Sequence, residues 1–149
     1  MISRIGKALQ SGVAFVYVWV SKSGSCVYVG QTSGAGGTIT RAGAHVSRYG
    51  TLRERFNDSF ASDLEEHDDW VLLSFPLPKN GNYTSEASSF RLAVEYLVQV
   101  KLQSIRGKMS PRFRIISNVS YSDYCRLEEV KKLAEEIVSR FSDYYIYDI

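Results

Sequence analysis

The hydrophobic pattern of the chain begins with two strand-like runs. Ala14 to Val20 is almost wholly apolar, β-branched and aromatic; Ser21 to Ser25 breaks it, and Cys26 to Gly30 resumes the same character. That is the pattern of a β-hairpin with a polar, glycine-containing turn. Both parities of the first run are apolar, with Phe15, Tyr17 and Trp19 on one and Val16, Val18 and Val20 on the other. The strand is therefore expected at the centre of its sheet, covered on both faces. Tyr17 and Tyr28 then lie on neighbouring strands.

Residues 1 to 12 have Ile2, Ile5 and Leu9 at helical spacing, with Gly12 as a stop, and predict a short amphipathic N-terminal helix. After the hairpin, Gln31 to Gly37 reads as a flexible loop, and Thr38 or Thr40 can cap a helix carrying Arg41 and His45 one turn apart. Leu52, Phe56, Phe60 and Leu64 recur every four residues and predict a helix over 52–64. Trp70 to Leu77 reads as a buried third strand stopped by Pro76 and Pro78. A loop over Lys79 to Ser85 with an Asn80-Gly81 turn follows. A serine or threonine before Glu86 opens a helix over Glu86 to Leu102, with Phe90, Val94, Leu97 and Val98 inward and Glu95 beside that stripe. A basic loop spans Ser104 to Arg114. Ser122 or Asp123 caps a C-terminal helix over about 122–142, with Leu127, Val130, Leu133, Ile137 and Phe141 as its core face. The tail from Tyr144 to Ile149 is a short strand or a packing segment. The fold expected is α/β, a small mixed central sheet of three or more strands flanked by helices.

Composition narrows this picture. At 149 residues, 44% hydrophobic and 23% charged, the chain has the length and balance of one globular domain over 1–149. The net charge is only +2, so a polyanion-binding surface requires local clustering. Such clustering is visible: Arg41, Arg48, Arg53 and Arg55 fall together, as do Lys101, Arg106, Lys108, Arg112 and Arg114, whereas Asp58 to Asp69 is acidic. A solvated surface of mixed charge is the plainer reading of these runs. Cys26 and Cys125 lie far apart with no CxxC spacing, which points to reduced thiols. No segment reaches ~18 consecutive apolar residues and no leader pattern opens the chain, so a cytoplasmic location without a membrane partner is expected.

Val16-Tyr17-Val18, then Tyr28-Val29-Gly30 eleven residues on, Arg41 and His45, Glu95 in a helical pattern and Asn118 beyond it together resemble the GIY-YIG nuclease superfamily. The resemblance spans roughly residues 14–118. Phe15 stands where the family has its first glycine, and the segment from Gly30 to Arg41 is longer and richer in glycine than in most members. The Arg-x-x-x-His form is similar to the restriction endonuclease branch.

The resemblance implies a Mg-dependent DNA endonuclease hydrolysing phosphodiester bonds, with Tyr17, Tyr28, Arg41, His45, Glu95 and Asn118 as its catalytic residues. Glu95 supplies the hard carboxylate that Mg2+, or Mn2+ in its place, prefers. Arg41 offers a permanently charged planar fork to a phosphate. His45 titrates near neutral pH and can take a proton from the water or from Tyr17. Tyr17 is the general base or the water-positioner, and a phenol with an ordinary pKa of about 10 needs nearby cations to act as a base. Tyr28 hydrogen-bonds the scissile phosphate or the other tyrosine. Gln31, Thr32 and Arg48, with Arg106, Lys108, Arg112 and Arg114 of the basic loop, are the expected DNA contacts. A homodimer is expected if both strands are cut. Restriction is favoured over repair or mobile-element cleavage, and a binding module with a decayed site is the alternative. Taken singly, each residue has a duller reading. A strand tyrosine is commonly a core residue in a chain with ten tyrosines, and Arg41 and His45 alone would be solvated helix surface. Asn118 is as readily a turn or cap residue as an active-site brace.

Overall fold

The computed structural model describes residues 12–147; the helix expected over residues 1–12 lies outside them save for Gly12. A four-stranded mixed sheet and five helices make up the described fold. The strands are β1 (Phe15–Ser21), β2 (Cys26–Thr32), β3 (Val71–Pro76) and β4 (Arg114–Ile115), in the order β3-β1-β2-β4. β1 pairs antiparallel with both β2 and β3, and β4 runs parallel to β2 at Cys26 and Val27. The α/β class and the central place of β1 follow the apolar pattern, because both its parities are buried. β3 is the edge strand beside it, with Leu73 and Ser74 buried and its ends less so, so the buried third strand expected from its apolar run is buried only at its middle. An edge also accommodates Pro76, which cannot donate to a ladder.

The helices are α1 (Gly37–Val46), α2 (Thr51–Phe60), α3 (Gly81–Thr84), α4 (Ser89–Ile105) and α5 (Glu128–Tyr147). The Val16, Val18, Val20, Val27 and Val29 face of the hairpin packs against Val94 and Val98 of α4 and Val130, Ile137 and Phe141 of α5. Its other face carries Tyr17, Cys26 and Tyr28 and packs on Leu52 and Phe56 of α2. The two parities of one strand thus build the two cores.

Several boundaries move for local reasons. Gly36, at φ +81°, precedes α1, and no side chain caps it, so neither threonine is the cap. Thr38 is instead buried, with its hydroxyl 2.6 Å from that of Ser74 on β3, which pins the first turn of α1 to the sheet. α2 ends at Phe60 because Ala61 turns left-handed at φ 51°, which throws Leu64 into a separate 3₁₀ turn capped by Asp63. Asn80 caps the single turn of α3 by accepting from the Asn82 N–H, where a loop was expected. α4 starts at Ser89 rather than Glu86. A 3₁₀ turn at Asp123–Arg126 precedes α5, and Leu127 is exposed instead of joining the core. The tail through Tyr147 continues α5 and buries Tyr144 and Tyr145. Cys26 and Cys125 are both buried free thiols.

Candidate active site

β-Pairing sets the first two groups. Tyr17 faces Gly30 across the hairpin and Trp19 faces Tyr28, so Tyr17 and Tyr28 are diagonal neighbours on one sheet face. Gly30 is a steric requirement: a Cβ there would lie 2.4 Å from the Tyr17 hydroxyl and 2.5 Å from Cζ. The phenol therefore crosses directly over the bare backbone of β2.

α1 brings in the third group. Thr38, Ala42 and His45 form its buried face, one helical stripe that carries the imidazole down onto the tyrosines. Gly50 follows so closely that a Cβ there would sit 2.1 Å from the His45 carbonyl oxygen, which allows α2 to start against the end of α1. The result is a chain of contacts through one imidazole. The Tyr17 hydroxyl is 2.6 Å from His45 Nε2, and the Tyr28 hydroxyl is 3.4 Å from Nδ1.

Electrostatics decides the protonation of this chain. Burial, then Tyr28, holds the Tyr17 phenol above its ordinary pKa, although Arg41 pulls the other way. Burial, then Arg41 and Arg55, pushes His45 down to about 4. Both partners are neutral at pH 7, so one imidazole nitrogen donates and the other accepts, and the contacts to Tyr17 and Tyr28 run in one sense through the ring. Two expectations are corrected here. His45 does not titrate near neutrality in the free protein, and the nearby cations do not bring Tyr17 below its ordinary pKa, because loss of water outweighs them.

Glu95 sits on α4, which packs across β2 and β1, and it interacts electrostatically with both tyrosines. It is 7% exposed, and its carboxylate accepts no hydrogen bond from a described residue. Burial pushes it up to about 8 against the pull of Arg41 and Arg55. Burying charge is costly, and at about 8 the group is mostly protonated at pH 7; a hard divalent cation would compete with that proton for the carboxylate. Among the described residues no three His, Cys, Asp or Glu side chains come together. The donor set is therefore one carboxylate, which suits an ion that keeps most of its waters and shares a substrate phosphate.

Tyr17, Tyr28, Arg41, His45 and Glu95 are thus brought together, and Asn118 is not. It is exposed and lines a separate cleft with Tyr96, Gln99 and Gln103; its neighbour Ser117 instead holds the Val29 N–H. Gln31 lines a cavity of about 380 Å³ beside Arg41 and accepts from the buried Arg91 at 2.8 Å. Thr32, mostly buried, accepts from the Gly34 N–H and lines the same cavity. Arg48 lies over the Tyr49 ring, in a cleft shared with Arg53, Glu54 and Asp63. Arg106, Arg112 and Arg114 line one cavity of about 720 Å³, and Lys108 is exposed outside that lining.

The sequence reading left Arg55 out of the site. It is half-buried on α2 and acts on Tyr28, His45 and Glu95 together. Its signal was its place between Leu52 and Phe56, at the rim of an apolar stripe. Comparison of the chain with family models, curated proteins and solved structures finds no match.

Proposed function

We propose that this protein is a Mg-dependent DNA endonuclease of the GIY-YIG type, most compatible with a restriction role. The observation that carries the reading is the neutral Tyr17–His45 pair at 2.6 Å beside an unpaired buried carboxylate and two arginines. Hydrolysis of a phosphodiester needs a proton acceptor for water and positive charge at the phosphate. In this reading Tyr17 takes the proton of the attacking water as its own passes to Nε2, so no free phenolate accumulates. His45 is held low partly by Arg41 and Arg55; a phosphate that neutralises those cations raises its basicity when substrate is in place. Arg41 meets the phosphate and opposes its growing charge. Glu95 would hold the cation, which supplies charge neutralisation at the departing oxygen. Tyr28 stays protonated and donates to a phosphate oxygen.

Among the described residues no helix is long and apolar enough to cross a membrane. The two free cysteines support a cytoplasmic setting, and a homodimer is the simplest way for one site per chain to cut both strands.

The test is cleavage of supercoiled plasmid and mixed genomic DNAs by wild type and Glu95→Ala, with magnesium, manganese or EDTA. Discrete metal-dependent fragments, lost in the variant, are expected. Binding without cleavage in any metal would leave a nucleic-acid-binding module and sink the enzyme.

A further inference from the structure

Among the described arginines, Arg53, Arg126 and Arg140 pair with carboxylates, whereas Arg41, Arg48, Arg55, Arg91, Arg106, Arg112 and Arg114 do not. Arg53 is clamped by Glu65 at 2.6 Å and Arg140 by Glu136 at 2.6 Å. Arg55, Arg106, Arg112 and Arg114 make no ion pair with any described residue. These four lie along one seam.

The seam is the joint between α2 and β4. Arg55 Nη1 donates to the Ile116 carbonyl at 3.4 Å. One turn further along α2, the Ser59 carbonyl accepts from Arg114 Nη1 at 3.1 Å, and the Arg114 guanidinium lies 5.5 Å from the Phe60 ring centroid. Beyond Arg114 opens the cavity of about 720 Å³ that Arg106 and Arg112 complete. At its near end Arg55 reaches the Tyr28, His45 and Glu95 group. Apart from the attraction between Arg55 and Glu95, the row makes no contact with a described carboxylate, and like charges repel unless something anionic covers them. Each fork keeps donors to spare, since a guanidinium has five N–H groups and these bonds use one apiece.

We propose that this seam is the track for one DNA strand, with Arg55 at the phosphate in the site and Arg114, Arg112 and Arg106 on phosphates further along. The proposal rests on the nuclease reading for its substrate and adds the path the strand takes. The spacing fits. From Tyr28 back to Cys26 is two strand residues, or ~7 Å, and Ser25 just beyond lines the far cavity and accepts from the Arg114 N–H at 2.8 Å. At ~3.4 Å of rise per nucleotide that covers about two steps. Arg55 and Arg114 are held by backbone carbonyls rather than carboxylates, so they are oriented without being neutralised. Phe60 gives the track an aromatic wall under Arg114.

Binding in EDTA tests the track without requiring cleavage. Anisotropy of a short labelled duplex is followed against salt for wild type, Arg55→Gln, Arg114→Gln and the double variant, with Arg140→Gln as control and melting curves to confirm folding. Each seam variant is expected to weaken binding roughly fivefold at ~0.15 M salt and to lower the salt slope by about 0.9. The double variant loses about 1.8, and the control loses nothing. DNA should also shield Arg114 and Arg112 from phenylglyoxal while Arg140 stays as reactive as in the free protein. Unchanged slopes in folded seam variants, or Arg114 left fully reactive under saturating DNA, overturn the track. Those results leave the nuclease reading standing; normal seam effects in a protein that never cleaves do the reverse.

Discussion

Gly30→Ala isolates the geometry on which the site depends. The added Cβ would sit 2.4 Å from the Tyr17 hydroxyl and 2.5 Å from Cζ, whereas carbon contacts relax at about 3.5 Å. The ring must therefore shift by roughly 1 Å, yet Tyr17 is 1% exposed and moves only by displacing its neighbours in the core. Overpacking of this kind costs about 1–3 kcal/mol. The shift also stretches the 2.6 Å contact to His45 Nε2 to ~3.6 Å, which is no longer a hydrogen bond. A buried ring nitrogen left unpaired adds about 1–3 kcal/mol. We expect a combined loss of roughly 2–6 kcal/mol in urea unfolding. Cleavage should fall ~100-fold or more, the cost of a 1 Å misplacement at a reacting group, and DNA binding in EDTA should change little. Gly43→Ala is the matched control. It lies within α1 with nothing near its Cβ position, so the helix should gain about 0.5–1 kcal/mol. Equal unfolding midpoints for wild type and Gly30→Ala, with an unmoved His45 ring signal by NMR, would refute the reasoning.

Three further outcomes follow from other contacts. His45 is held at about 4 when folded against ~6.5 unfolded, so its neutral form contributes stability fully above ~6.5 that is lost as pH falls through ~4. The stability difference between wild type and His45→Gln should shrink across that window, and a constant difference by denaturant titration at each pH contradicts the shift. The Asp69 carboxylate accepts from both the hydroxyl and the N–H of Ser23 at 2.7 Å and from the Ser21 hydroxyl at 2.5 Å. Asp69→Ala should therefore cost about 2–3 kcal/mol by freeing the β1–β2 turn, with faster amide exchange at Ser23 and Gly24 as its local signature. Arg91, 4% exposed, donates to the carbonyls of Tyr83 and Ser85 at 2.6 and 2.7 Å and to Gln31. Arg91→Lys cannot span that fork and should lose about 2–4 kcal/mol in chemical unfolding; wild-type stability would show that the fork is dispensable.

Much of this architecture was legible in local pattern. The two apolar parities of β1 announce a central strand, and Tyr17 and Tyr28 are close enough in sequence that a hairpin alone makes them neighbours. Arg41 and His45 are one helical turn apart, so their shared helix was readable too. What pattern could not supply was where separate elements meet. Arg55 looks like one surface arginine among several until α2 is laid against β4, and Asn118 looks like a partner of Glu95 until the chain after β4 turns it toward solvent. The protonation of the site was illegible for the same reason. Arg41 is local to His45, but nothing local says that Tyr17 will cover one ring nitrogen and that burial and Arg55 from a second helix will add to its pull and hold the ring neutral.

The polar cluster between β1, β2 and α1 is also hard to explain as packing. The face that holds Tyr17 and Tyr28 is otherwise built from Cys26, Leu52, Phe56 and Leu64, and phenylalanine in place of either tyrosine would keep nearly the same shape. A buried hydroxyl is tolerable when paired, as Tyr17 is. An almost buried carboxylate with no hydrogen bond, pushed up to about 8, is a different matter, because it costs the fold stability at every pH where it ionises. His45 carries the mirror-image cost, since it must stay neutral where a surface histidine could accept a proton. Two opposed penalties within reach of the same two arginines cancel when a cation meets Glu95 and an anion meets Arg41 and Arg55. A metal ion and a phosphate together do both, so the arrangement that is least favourable for the empty fold is the one a bound phosphodiester would complete.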